Sequence, residues 1–247
     1  MPKQQTIKNM KPYYLPVSLL RRTLSVLAVG ASISMSSPAQ AAGNPNPGII
    51  PPHAKYGGLT LGEWNVRLWQ RLYRYLAPTP DSPTFDPTGA NFAVDQSGPV
   101  WFLTLPADRS SVREVTVPAG VALLVTVGSG SFGGLPFDPP SDQLVALSGL
   151  ALAHDILNPE LSVDGKQVND LSAYAVVSPL FNFTLPDGNP TGAPAGNYGP
   201  AVANGYTPLL APMSVGRHVI HFSWDVLSGI WAGHWEETYV VNVVPAH

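Results

Sequence analysis

The sequence predicts a mainly β domain: an antiparallel, jelly-roll-like β-sandwich with an N-terminal amphipathic helix and a second short helix. Three observations lead there. About nine short apolar or alternating runs, each bounded by turn residues, crowd into about 145 residues. The 27 prolines and 23 glycines argue against a helical bundle. Hydrophobic residues make up 45% and charged ones only 12%, which excludes disorder for the chain as a whole.

Residues 42–58 read as an extended Pro/Gly-rich arm. Thr60 then stands three before Glu63, the spacing of a capping box, in which each side chain satisfies an amide that the first helical turn leaves open. Leu59 and Trp64 are placed as the accompanying hydrophobic staple. The helix runs to about Ala77, where Pro78 stops it. Trp64, Leu68, Leu72 and Leu76 share one face, widened by Trp69 and Tyr73, and Arg67, Arg71 and Arg74 form a stripe on the other.

Strands follow. Val100 to Leu105 is the first, and Val112 to Val117 alternates. Pro118-Ala119-Gly120 turns the chain into Val121 to Val127, which is apolar on both faces and reads as central. Gly128 to Pro140 reads as a flexible surface loop, and Leu144 to Ile156 as the second helix with Ser141 as its cap. Leu161 to Val163 meets Asp164-Gly165, a tight-turn dipeptide, with Lys166 to Val168 returning. The remaining strands are Tyr174 to Ser178, Leu180 to Leu185, Tyr206 to Leu210, Arg217 to Trp224 and Trp235 to Val244. Residues 59–247 thus form one β-sandwich domain.

Ahead of it, residues 1–41 have the pattern of a cleaved signal peptide. Lys3, Lys8, Lys11, Arg21 and Arg22 precede an apolar run from Leu24 to Met35, and Ala39-Gln40-Ala41 fits a cleavage site. That run is about 12 residues long, against roughly 20 for a spanning helix. The expected product is secreted or periplasmic, without a membrane anchor after cleavage. Setting the leader aside leaves eight basic and sixteen acidic residues, a net charge of −8. With no Lys/Arg cluster, nucleic acid is excluded as a partner. No cysteine is present, so neither a disulfide, a thiolate zinc site nor a thiol nucleophile is available.

Motifs with a mechanism are mostly missing. Gly128-Ser129-Gly130-Ser131-Phe132-Gly133 is not G-x-S-x-G, because Ser129 occupies the position of the first glycine. It also lacks the Gly-Lys-Ser/Thr of a phosphate loop. The histidines remain. His218 shares a strand face with Ile220, Phe222 and Trp224, as a buried hydrogen-bonded residue would. His221 shares the other with Ser223 and Asp225, whose carboxylate is placed to orient an imidazole two residues away. His234 and Glu236 also share a face, so His221, His234 and Glu236 would supply two nitrogens and a carboxylate to one metal in the right register. His154-Asp155 ends the second helix, where the dipole favours an imidazolium.

Aromatic residues offer a different site. Trp224, Trp231 and Trp235 lie close together near the C-terminus, with Trp231 in the loop between the last two strands. An exposed Trp on a β-sandwich is a platform for the apolar face of a sugar ring. The competing account is that these residues plug the end of the sandwich.

Phrases along the chain resemble a family of uncharacterised exported bacterial single-domain β-sandwich proteins. They include Gly62-Glu63-Trp64, Gly98-Pro99-Val100-Trp101-Phe102-Leu103, Val117-Pro118-Ala119-Gly120, Val163-Asp164-Gly165, Ser178-Pro179-Leu180-Phe181, Pro194-Ala195-Gly196-Asn197-Tyr198 and Val215-Gly216-Arg217-His218-Val219-Ile220-His221-Phe222. The resemblance implies export and one domain, and offers no catalytic residues. The chain departs from it in lacking cysteine near the first strands and in having Asn204 where an Asp is usual.

Two readings result. One is a binding or accessory domain for a polysaccharide, another cell-envelope polymer or a small molecule, with Trp231 and Trp235 as ligand-binding residues. The other is a small extracytoplasmic hydrolase or lyase using His221, Asp225, His234 and Glu236. The cofactor is left open, as is the metal beyond the His221, His234 and Glu236 set.

Overall fold

The computed structural model describes Asn46 and residues 48–103, 109–135, 138, 140–229 and 231–246. The leader and His247 lie outside the described residues. Asn46–His247 forms one compact unit, which includes the described part of the arm. The Asn46 side chain pairs with the Asn169 backbone, and Ile49 bridges Leu210.

Helix α1 (Leu61–Arg74) opens with the expected capping box. At its N-terminus the Trp64 indole N–H donates to the Tyr56 carbonyl at 2.9 Å. Leu61, Trp64, Leu68 and Leu72 face the core. The arginine stripe is a correction. Arg67 and Arg74 are exposed, but Arg71 is buried and donates to the Phe92 and Val94 carbonyls. The segment after α1 folds back over that side and leaves it no water.

The described strands form three sheets, with mostly antiparallel pairing. β1 (Val100–Phe102) lies parallel to β3 (Ala122–Leu124), which pairs with β10 (Leu209–Leu210). The five-stranded sheet has the order β2 (Ser110–Pro118), β12 (Gly233–Val244), β11 (Gly216–Val226), β5 (Ile156–Val163) and β6 (Lys166–Gln167). Its β2 and β12 are parallel, the second exception to the antiparallel expectation. The third sheet joins β4 (Val127–Gly133), β9 (Gly196–Tyr206) and β7 (Ala175–Val177), with β8 (Phe181–Leu185) on the far half of β9. A 3₁₀ turn, Leu171–Tyr174, precedes β7.

The expected central strand 121–127 is two strands. The chain leaves one sheet after Leu124 and enters another at Val127, with Val125 and Thr126 fully buried in the step. The glycine-rich stretch taken for a flexible loop is β4 itself, paired with β9 from Tyr206 to Ala201. Helix α2 (Ser141–His154) begins at Ser141, so Pro140 is the cap residue and no side chain caps the end.

The main core joins Leu68 of α1, Leu123 and Val125, and the inward faces of β2, β11 and β12. An aromatic column runs through it, Trp235 stacked on Trp224, Trp224 on Phe222 and Phe222 on Tyr239. A smaller cluster of Phe181, Phe183, Leu185, Ala201 and Ala203 lies beneath Tyr73, which stacks on Phe183 at 3.9 Å.

Candidate functional site

Strand alternation decides which candidate side chains reach solvent. On β12, Trp235, Glu237, Tyr239, Val241 and Val243 turn inward, and His234, Glu236 and Thr238 turn outward. On β11, Ile220, Phe222 and Trp224 are buried, and the register sets Asp225 opposite His234, Ser223 opposite Glu236 and His221 opposite Thr238.

The site at the end of these strands is a hydrogen-bonded row. Asn158 Nδ2 donates to Asp225 Oδ2 at 2.8 Å, and His234 Nδ1 lies 2.8 Å from Asp225 Oδ1. The Asn158 amide, and then the His234 ring, hold the Asp225 carboxyl below its ordinary value. A carboxylate so placed fixes the imidazole orientation and leaves Nε2 as its other polar atom. The expectation that Asp225 orients His221 is corrected, because the register gives this carboxylate to His234. His221 Nδ1 instead shares a 3.0 Å hydrogen bond with Thr238 Oγ1, and Ser110 Oγ donates to Glu236 Oε1 at 2.9 Å.

The metal set is corrected for the same reason. Thr238 and His234 are four residues apart on β12, so His221 and His234 are separated by about 13 Å along the strands at roughly 3.3 Å per residue. Among the described residues, no group of three His, Asp or Glu side chains can hold a metal ion. His218 is likewise not among the core apolar residues; it sits half-buried beside the Asp164-Gly165 turn, bonded to Asp164 and to the Ser214 carbonyl.

The tryptophans divide. Trp235 is 7% exposed, stacked 6.1 Å from Trp224 and covered by the Arg109 guanidinium at 5.3 Å. Its assignment to ligand binding is therefore corrected: it belongs to the core. Trp231 is 56% exposed. Its ring lies tilted against Trp235, with centroids 5.8 Å apart, and the Trp235 indole N–H donates to its carbonyl at 2.8 Å. The Trp231 backbone is thus tied to Trp235 and its ring, in contact with Trp235, is largely open to solvent, at the same end of the sheet as Asp225 and His234.

The buried ionic groups escaped the sequence reading. Glu237 is 1% exposed and accepts from Ser111 Oγ, while Arg113 is 2% exposed and donates to the Tyr239 hydroxyl at 3.1 Å. Their signal was in the alternation, since Glu237 lies between Trp235 and Tyr239 in parity and Arg113 precedes Val115 and Val117.

Away from this end, two shallow depressions of about 280 and 340 Å³ meet at Gly134 and Gly199. Leu135, Asp138 and Leu144 line the first, and Asn182, Asn197 and Tyr198 the second. None of the residues singled out for catalysis or binding lines either.

Among the described residues, no helix is long and apolar enough to cross a membrane. No family model matches the chain, and no curated protein does. A solved structure of PbICP-C in complex with falcipain-2 aligns with 60% of this chain and 100% of its own, at 10% identity and a TM-score of 0.25. Similarity at that level carries no argument about fold or function.

Proposed function

We propose that the protein is an exported binding or accessory domain whose ligand is a glycan or another cell-envelope polymer, with Trp231 as the stacking platform. The observation that carries this reading is the contrast between the two neighbouring rings. One closes the core, and the other is held in place yet faces water. An aromatic ring left exposed beside a packed neighbour offers a large apolar contact area. Asn158, Asp225 and His234 at the same end offer the donors and acceptors that hydroxyl groups require. Export rests on the leader pattern of residues 1–41.

Affinity electrophoresis against a panel of polysaccharides tests the reading. Wild-type protein is retarded by at least one polymer and the Trp231→Ala variant is not; no retardation by any polymer removes the proposal.

The Asn158–Asp225–His234 row favours one alternative, an extracytoplasmic hydrolase or lyase with His234 as acid or base and Asp225 as its positioning carboxylate. Within that reading His221 and Glu236 stand apart, engaged by Thr238 and Ser110. A detected activity that survives His234→Ala excludes it.

A further inference from the structure

Helix α2 differs from α1 in kind. Its buried side is Leu144, Ser148 and Leu152. Val145, Leu147 and Leu150, on other sides, are 44%, 40% and 49% exposed. A surface helix ordinarily turns such residues inward and presents charge to water. Here the outward stripe is Ala146, Leu150 and Ala153, at the i, i+4, i+7 spacing of a helix–helix seam, with Leu147 beside it.

We propose that this face docks against the same face of a second copy of the chain, the two α2 helices running antiparallel about a two-fold axis level with residue 148. The polar groups at the helix ends select this partner. Asp142 lies exposed in the first turn and His154 exposed in the last. An antiparallel pair centred at 148 sets each Asp142 against the partner's His154. The same register sets each Leu150 against the partner's Ala146, large upon small, twice by symmetry. A parallel arrangement gives neither match. A membrane surface fits less well, because α2 carries no Lys or Arg to meet anionic headgroups.

Each helix face is about 21 Å long at 1.5 Å per residue, so the contact falls short of the ~800 Å² per partner of a standard interface. The dimer is accordingly weak, with a dissociation constant in the micromolar range.

Sedimentation velocity on the protein as the cell delivers it, from about 1 to 200 µM, tests this. The weight-average sedimentation coefficient rises with concentration for wild type and stays at the monomer value for Leu150→Glu, whose far-UV circular dichroism is unchanged. His154→Glu, which opposes two carboxylates in the antiparallel register, weakens association at least fivefold, and Asp142→Lys supplies the cation that pairs with that new carboxylate. The double variant restores it. A wild-type monomer throughout, or association indifferent to Leu150→Glu, overturns the proposal. Failure of the double variant to restore association overturns the antiparallel register. A monomeric wild type that floats with phosphatidylcholine vesicles, and a Leu150→Glu variant that does not, replaces the second copy with a lipid surface.

Discussion

His218 Nδ1 lies 2.8 Å from Asp164 Oδ2, while the other Asp164 oxygen accepts the Val219 amide at 2.9 Å. His218 Nε2 is 2.9 Å from the Ser214 carbonyl. Carboxylate and carbonyl are both acceptors, an arrangement that favours the doubly protonated ring, with the Ser214 hydroxyl also 3.4 Å from Nε2. The turn residues Asp164 and Gly165, at φ of 50° and 74°, bring the carboxylate to the neighbouring strand.

The hydrogen bond that His218 makes to Asp164 raises the His218 pKa against a smaller opposing effect of burial. Partial burial acts to raise Asp164, but the bonds from His218 and Val219 outweigh it and hold its carboxyl below the ordinary value. The histidine contribution to stability is complete below about pH 6.5 and is lost as pH rises through the raised value. The carboxylate contribution is present above about pH 3.9 and is lost as pH falls through the lowered one. Asp164→Asn keeps an acceptor for Val219 and removes the charge. It lowers the His218 titration midpoint followed by NMR and costs about 0.5–1 kcal/mol at pH 5.5, less at pH 8. An unmoved midpoint refutes the ion pair.

Arg71 and Arg74 are three apart on one helix and differ in what surrounds them. Arg74 pairs with Asp95 at 2.6 Å with 59% and 38% of the two side chains exposed. Arg71 is 4% exposed, and burial pushes its pKa down to about 10, so at neutral pH it remains a buried cation. Its Nη2 satisfies the Phe92 and Val94 carbonyls at 3.2 and 2.7 Å. Arg71→Met strands both carbonyls and lowers stability by at least about 2 kcal/mol. Arg74→Ala changes it by at most about 0.5 kcal/mol. Thermal unfolding of the two variants side by side measures the difference; equal midpoints contradict the buried role.

Local signals were enough for α1 and the Asp164-Gly165 hairpin, because capping spacing and turn dipeptides act within a few residues. Strand β4 was not legible, because its residues have little β propensity and its order comes from β9, some 70 residues later. Gly128 shows the dependence: at φ 56° it has no room for a side chain, since an added Cβ would lie 2.4 Å from Ile156 Cγ2. Strand β9 escaped for a related reason. It contains Gly196, Gly199, Pro200 and Gly205, yet three neighbouring strands pair with it. At the candidate site, alternation correctly separated His221 and Asp225 from Trp224. The partner of Asp225 depended on the β11–β12 register, which the loop between them sets and a count of residues did not reveal.

Trp231 and Trp235 provide the last test, because they separate a ligand contact from a core residue. Trp235 is packed on Trp224 in the aromatic column, so Trp235→Ala opens a cavity and costs about 3–5 kcal/mol. Trp231 gives up little by truncation, and Trp231→Ala stays within about 0.5 kcal/mol of wild type. In wild-type protein, acrylamide quenches a tryptophan component that the Trp231→Ala variant lacks. If that variant unfolds at a markedly lower temperature, Trp231 closes the sheet end rather than offering a surface. Unchanged unfolding with lost polymer retardation instead assigns the ring to the ligand.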